Sequence, residues 1–100
     1  MKIKFEWDPV KAERNIRKHK VSFELATRVF IDPFALMGQD RIEHGEHRWQ
    51  TIGSVEGHFL VLIAHTVYDD DDGFNVIRLI SARKTTKKER NRYEQKNNSL

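Results

Sequence analysis

The chain has 100 residues, with 38% hydrophobic and 33% charged side chains, 18 Lys and Arg against 15 Asp and Glu, and no cysteine. That suits one domain over residues 1–100 with one modest core and argues against a disordered or fibrous chain. It also excludes a disulfide framework, a thiol nucleophile and a Cys-based metal site, and it fits a reducing cytoplasm. The longest apolar run, residues 59–64, is far short of the roughly 20 residues a membrane span needs, and the first eight residues carry no secretory apolar segment.

Alternation of Ile3, Phe5 and Trp7 predicts a strand over 2–7. Asp8-Pro9 then starts a helix to about His19, because Asp caps free amides and Pro suits a position whose N–H has no partner. Its apolar stripe is thin, chiefly Val10, Ala12 and Ile16. Ser22 reads as a second N-cap. Phe23, Ala26, Val29 and Phe30 recur at helical spacing over 23–31, until Asp32-Pro33 stops the helix.

From 34 to 82 the pattern is of strands. Residues 34–38 are short and apolar, 39–47 are polar and read as a loop, and 48–53 alternate. A turn over 54–58 through Gly57 leads into a strong strand at 59–67, and a turn at 69–73 leads to a last strand at 74–82. From Thr85 on, charged helix formers predict a terminal helix capped by Thr85 or Thr86, with residues 97–100 fraying. The order β-α-α-β-β-β-β-α implies an α+β domain: a small, mostly antiparallel sheet with two N-terminal helices and one C-terminal helix, the helices on one face.

Between 83 and 96 lie seven basic residues (Arg83, Lys84, Lys87, Lys88, Arg90, Arg92 and Lys96) and only two acids. Such a pole suits a polyanion such as RNA, or an acidic partner surface. Arg78 sits inside an apolar strand and must reach water, a carboxylate or a bound anion, since an unpaired buried guanidinium is very costly. By strict alternation Arg78 shares a face with Val76 and Ile80, and Arg83 with Ser81 and Leu79. His65 faces one or the other depending on hairpin register. Glu46 and Arg48, two apart, point the same way if extended and could flank one ligand. No ligand spacing supports a metal site from His44, His47 and residues 69–72, and no nucleophile elbow or Gly-rich nucleotide loop is present. Acid–base chemistry on a phosphodiester needs neither cofactor nor metal. RNA supplies its own 2′-hydroxyl nucleophile, and Glu, His and Arg side chains supply base, acid and charge stabilisation.

Phe5-Glu6-Trp7-Asp8, Lys11, Asn15, Lys18-His19, Val21-Ser22-Phe23-Glu24, Val29-Phe30-x-Asp32-Pro33, Gly45-Glu46-x-Arg48-Trp49, Ile52-Gly53, Ile80-Ser81-Ala82-Arg83, Glu89 and Tyr93 occur in the order and spacing of a known family. Over about residues 3–95 the chain resembles the BrnT toxins, although Lys20 stands where members often carry Gly. The resemblance implies a fold similar to the RelE-type ribonucleases and an RNA-cleaving toxin that halts translation. It also implies a ribbon-helix-helix antitoxin of the BrnA type, with DNA bound only through the toxin–antitoxin complex. Carried over by motif position, it implies a site made of Glu46, Arg48, Arg78 and Arg83, with His65 and Tyr93 of second rank. Arg78 and Arg83 would hold the phosphate and Glu46, or else His65, would act as base. The acid stays open among His65, Tyr93 and a cation. Lys84, Lys87, Lys88 and Arg90 would guide the RNA backbone. The rival is a non-catalytic nucleic-acid- or protein-binding module that uses the basic C-terminal helix.

Overall fold

The computed structural model describes residues 2–57 and 59–98. Its elements are β1 (Lys2–Glu6), α1 (Pro9–His19), α2 (Phe23–Ala26), a 3₁₀ turn (Thr27–Ile31), β2 (Leu36–Glu43), β3 (Glu46–Val55), β4 (Phe59–Asp69), β5 (Phe74–Lys84) and α3 (Lys87–Asn98). They form one sheet in the order β1-β5-β4-β3-β2. β1 runs parallel to β5, and the other three pairings are antiparallel. His58, Ser99 and Leu100, on which parts of the expected turn and frayed end fall, lie outside the described residues. Among the described residues no helix is long and apolar enough to cross a membrane.

The helix starts follow from their caps. Asp8 accepts from the amides of Val10 (2.8 Å) and Lys11 (3.4 Å), and Ser22 Oγ accepts from Leu25 N (3.0 Å). Lys20 closes α1 in a left-handed conformation, φ 62°, with its amide on Ile16 O. This is the backbone geometry a glycine adopts freely, so the turn is kept despite the change of residue. After one turn α2 tightens to a 3₁₀ turn, which ends at Asp32-Pro33.

One face of the sheet carries the core. Phe23, Ala26 and Val29 from the helical side pack with Val55, Val61, Ile63, Leu79 and Ala82. A Cβ on Gly53 would lie 2.6 Å from Val29 Cγ1, so only glycine lets the 3₁₀ turn seat on β3. In α1 the inward residues are Ala12 and Asn15, while Val10 and Ile16 of the expected stripe are exposed. The reason is polar. β1 ends at Glu6, which leaves the far edge of β5 unpaired, and the Asn15 amide closes it by donating to Ala82 O (2.7 Å) and accepting from Ala82 N (3.1 Å). The same Nδ2 donates to Val21 O at 2.9 Å.

Two expectations need correction. The polar stretch 39–47 is the outer half of a hairpin, not a loop: β2 runs to Glu43, and His44–Gly45 (φ 52° and 77°) form the tight turn. Polar composition there reflects exposure on both faces of an edge strand. The helices also do not share one face. α3 lies against the side away from Phe23, with Arg92 beside Gln50 and Ile52 and with Glu89 bound to Arg83.

Candidate active site

The sheet face that α1 and α2 leave open is built by a bulge. Ala64 pairs with Ser81 and His65 with Leu79, so Ile80 is an extra residue in β5. An extra residue breaks the two-residue alternation. Arg78 pairs with Thr66 and Arg83 with Leu62, four residues apart in an unbroken stretch of β4. Arg78, Ser81 and Arg83 therefore project from the same face, whereas strict alternation separates the two arginines. Leu79 turns instead to the core.

Across that face one row reads Glu6 on β1, Arg78 on β5 and Thr66 on β4. Arg48, one position before Trp49 in β3, continues it, because Trp49 pairs with His65 next to Thr66. Arg78 Nη1 donates to Glu6 Oε2 at 2.9 Å, and Tyr68 Oη donates to Glu6 Oε1 at 2.9 Å. That hydrogen bond to a carboxylate, with lesser effects of desolvation and nearby charges, raises the Tyr68 pKa. Arg48 Nη2 stands 3.7 Å from Glu46 Oε1. Two buried polar atoms in this row, Arg48 Nε and Thr66 Oγ1, have no hydrogen-bond partner. Thr66 is only 3% exposed, and a buried polar atom without a partner costs about 1–3 kcal/mol.

Arg83 is differently placed. Its Nη1 and Nη2 donate to the two Glu89 oxygens, both at 2.8 Å, and Nη1 also reaches Lys84 O. Glu89 Oε1 accepts from Thr86 N, and Thr86 Oγ1 accepts from Glu89 N, a reciprocal cap on α3. The guanidinium bonds hold the Glu89 carboxyl at a pKa of about 2. Arg83 thus joins the open face but commits one donor from each terminal nitrogen to Glu89 of α3. Lys84 lies over the Phe59 ring at 5.5 Å, and Lys87, Lys88 and Arg90 are exposed at the start of α3.

His65 and Tyr93 do not join the group. His65 is fully buried on the core face, bonded to Thr51 Oγ1 at 2.7 Å and packed edge-on against Phe30. Burial pushes its pKa down to about 4. Tyr93 Oη donates to Asp32 Oδ2 at 2.7 Å and ties α3 to the end of the 3₁₀ turn; burial and that bond push its pKa up to about 12. Its neighbourhood is a concavity of about 580 Å³, whose walls include Ile31, Pro33 and Phe34. Those apolar walls suit a phosphodiester poorly, whereas an open sheet face admits a polymer. Among the described residues no three His, Asp or Glu side chains gather as a metal site needs. Glu6, Thr66 and Tyr68 stand beside the candidate arginines on this face, and sequence reasoning passed over them. The polar alternation of Lys2, Lys4 and Glu6 was a signal for the first, but nothing local marked the other two.

A family model described as "Ribonuclease toxin, BrnT, of type II toxin-antitoxin system" matches residues 7–89. The fold is similar to that of the Brucella abortus ribonuclease toxin BrnT in its 1.1 Å crystal structure: TM-score 0.66 at 22% identity, covering 87% of this chain and 100% of that one. Comparison with curated proteins gives no match.

Proposed function

The chain belongs to the BrnT ribonuclease toxins of type II toxin–antitoxin systems, and from that premise we propose that its open sheet face cleaves RNA internally, by side-chain acid–base chemistry without a metal ion, and so blocks translation. The observation that carries this reading is the row Arg78–Thr66–Arg48, two guanidinium groups flanking a hydroxyl that has no partner. A phosphodiester seated there meets both cations and, as the side chains above them move aside, bonds Arg48 Nε and Thr66 Oγ1, which are buried and without a partner in the free protein. Arg83, anchored by Glu89, adds positive potential from one side.

In this reading the 2′-oxygen attacks phosphorus while Glu46, beside Arg48, takes its proton. The guanidinium groups stabilise the charge that develops on the non-bridging oxygens. The P–O5′ bond breaks, and the leaving oxygen takes a proton from the exposed phenol of Tyr68, whose hydroxyl Glu6 orients by accepting its hydrogen bond. The products are a 2′,3′-cyclic phosphate and a 5′-hydroxyl. Lys84, Lys87, Lys88 and Arg90 draw the RNA backbone towards the face, and a ribbon-helix-helix antitoxin of the BrnA type covers this basic pole and carries the DNA contacts.

The test is incubation of purified protein with a defined single-stranded RNA in excess EDTA, alongside Arg48→Ala and Arg78→Ala. Cleavage to a 2′,3′-cyclic phosphate that either substitution reduces by about 10²-fold or more supports the reading. RNA left intact, with ribosomes and divalent ions giving no rescue, overturns it.

A further inference from the structure

α1 carries Lys11, Arg14, Asn15 and Lys18 at i, i+3, i+4 and i+7, one stripe along the helix. Asn15 turns inward to the β5 edge. The three cations, with His19, border an open concavity of about 190 Å³ whose floor is Ile80 and Ser81. At ~30 Å³ per water molecule this has room for a hydrated phosphate group. Ser81 pairs with Ala64 and so projects from the open face that bears Arg78. Among the described residues Lys11, Arg14 and Lys18 form no ion pair, and Glu13, the acid on this helix, pairs with Arg17. Burial, then the charges of Lys18 and Arg83, hold the His19 pKa below its usual value.

We propose that this concavity between α1 and β5 is a second phosphate subsite, which holds a backbone phosphate of single-stranded RNA a few nucleotides from the scissile bond. Three residues of strand, ~10 Å, separate Ser81 from Arg78, so a strand crossing the open face reaches both. The ligand class is a polyanionic single strand read through its phosphates. Cations on a helix flank offer no base-specific pattern. The inference rests on the RNA-cleaving reading, and the probe is chosen so that the two can fail separately.

That probe is a fluorescent 2′-O-methyl octanucleotide, which binds but cannot be cleaved, with a 2′-O-methyl dinucleotide as the short comparison. Lys11→Gln/Lys18→Gln weakens octanucleotide binding at least tenfold at low salt and lowers the salt slope by about 0.7, the share of one lost phosphate. Dinucleotide binding stays within twofold. Arg17→Gln, a charge loss on the same helix outside the concavity, changes neither. Equal weakening by Arg17→Gln would show diffuse attraction and overturn the subsite. So would no effect of the double substitution in a protein with an unchanged circular dichroism spectrum, or a wild type that does not bind the octanucleotide. Specific binding without cleavage of the matching RNA would overturn the ribonuclease reading and leave the subsite standing.

Discussion

Arg83 and Glu89 face each other through two parallel 2.8 Å hydrogen bonds, and the same carboxylate caps the helix on which it stands. The last strand and last helix are thereby fastened by one side-chain pair. Glu89→Gln is expected to destabilise the fold by about 1–3 kcal/mol in urea denaturation, because it weakens a bidentate charged pair and a capping box together. The pH dependence follows in sign. A carboxyl held at about 2 when folded, against an ordinary 4.5, binds more protons unfolded than folded between those values. Its stabilisation is complete above pH 4.5 and is lost as pH falls towards 2. Glu89→Gln should flatten that acid limb; an unchanged limb would count against the pairing.

Asn15→Ala leaves Ala82 N, Ala82 O and Val21 O without their side-chain partner. Three buried bonds at about 1 kcal/mol each predict a loss near 3 kcal/mol. Hydrogen exchange adds a local readout: the Ala82 amide should exchange with the accelerated edge of β5, whereas the β3–β4 amides should lose protection only to the extent of the global change.

Lys20→Gly should stabilise the protein. The residue holds φ 62°, where a side chain costs roughly 1–2 kcal/mol, and the entropy of an added glycine returns about 0.5–1 of that. The expected net gain is about 0.5–1 kcal/mol, read as a higher urea midpoint with unchanged slope.

Thr66→Val separates stability from function. It replaces a buried hydroxyl that has no partner with an isosteric methyl, so stability should hold or rise by about 1 kcal/mol. RNA cleavage should fall at least tenfold, because the hydroxyl that meets the phosphate is gone. Full activity in a stabilised Thr66→Val protein would remove Thr66 from the site.

His65 titrates for the fold rather than for the reaction. Its pKa is about 4 when folded against an ordinary 6.5, so the unfolded chain binds the extra proton between those values. Stability is therefore full above pH 6.5 and falls as pH drops towards 4. His65→Gln should lower overall stability and reduce this slope. At permissive temperature it should keep cleavage within several-fold of wild type.

Local physics made much of this molecule legible in its sequence. Asp8-Pro9, Ser22 and Asp32-Pro33 mark helix ends through bonds made within three or four residues, and they do so in the structure. Apolar stretches at 59–67 and 74–82, bounded by turns, placed β4 and β5, and the element order followed. The family was legible too, because its motif residues keep their order and spacing over nearly the whole chain. Spacing of the active-site candidates along the chain was equally readable.

The facing of those candidates was not. One extra residue, Ile80, puts Arg78 and Arg83 on the same side of β5, and only the pairing with β4 reveals it. His65, polar in an apolar strand, looked chemical; Thr51 and Phe30, brought from other elements, make it part of the core. Arg83 found Glu89, and Thr66 came to lie between Arg78 and Arg48, through the same kind of contact. Caps and periodicity depend on neighbours along the chain, so the sequence by itself determined the elements and their order. Register, bulges and the partners of buried polar groups depend on strands that meet only in the folded sheet, so tertiary structure alone decided which side chains share the open face.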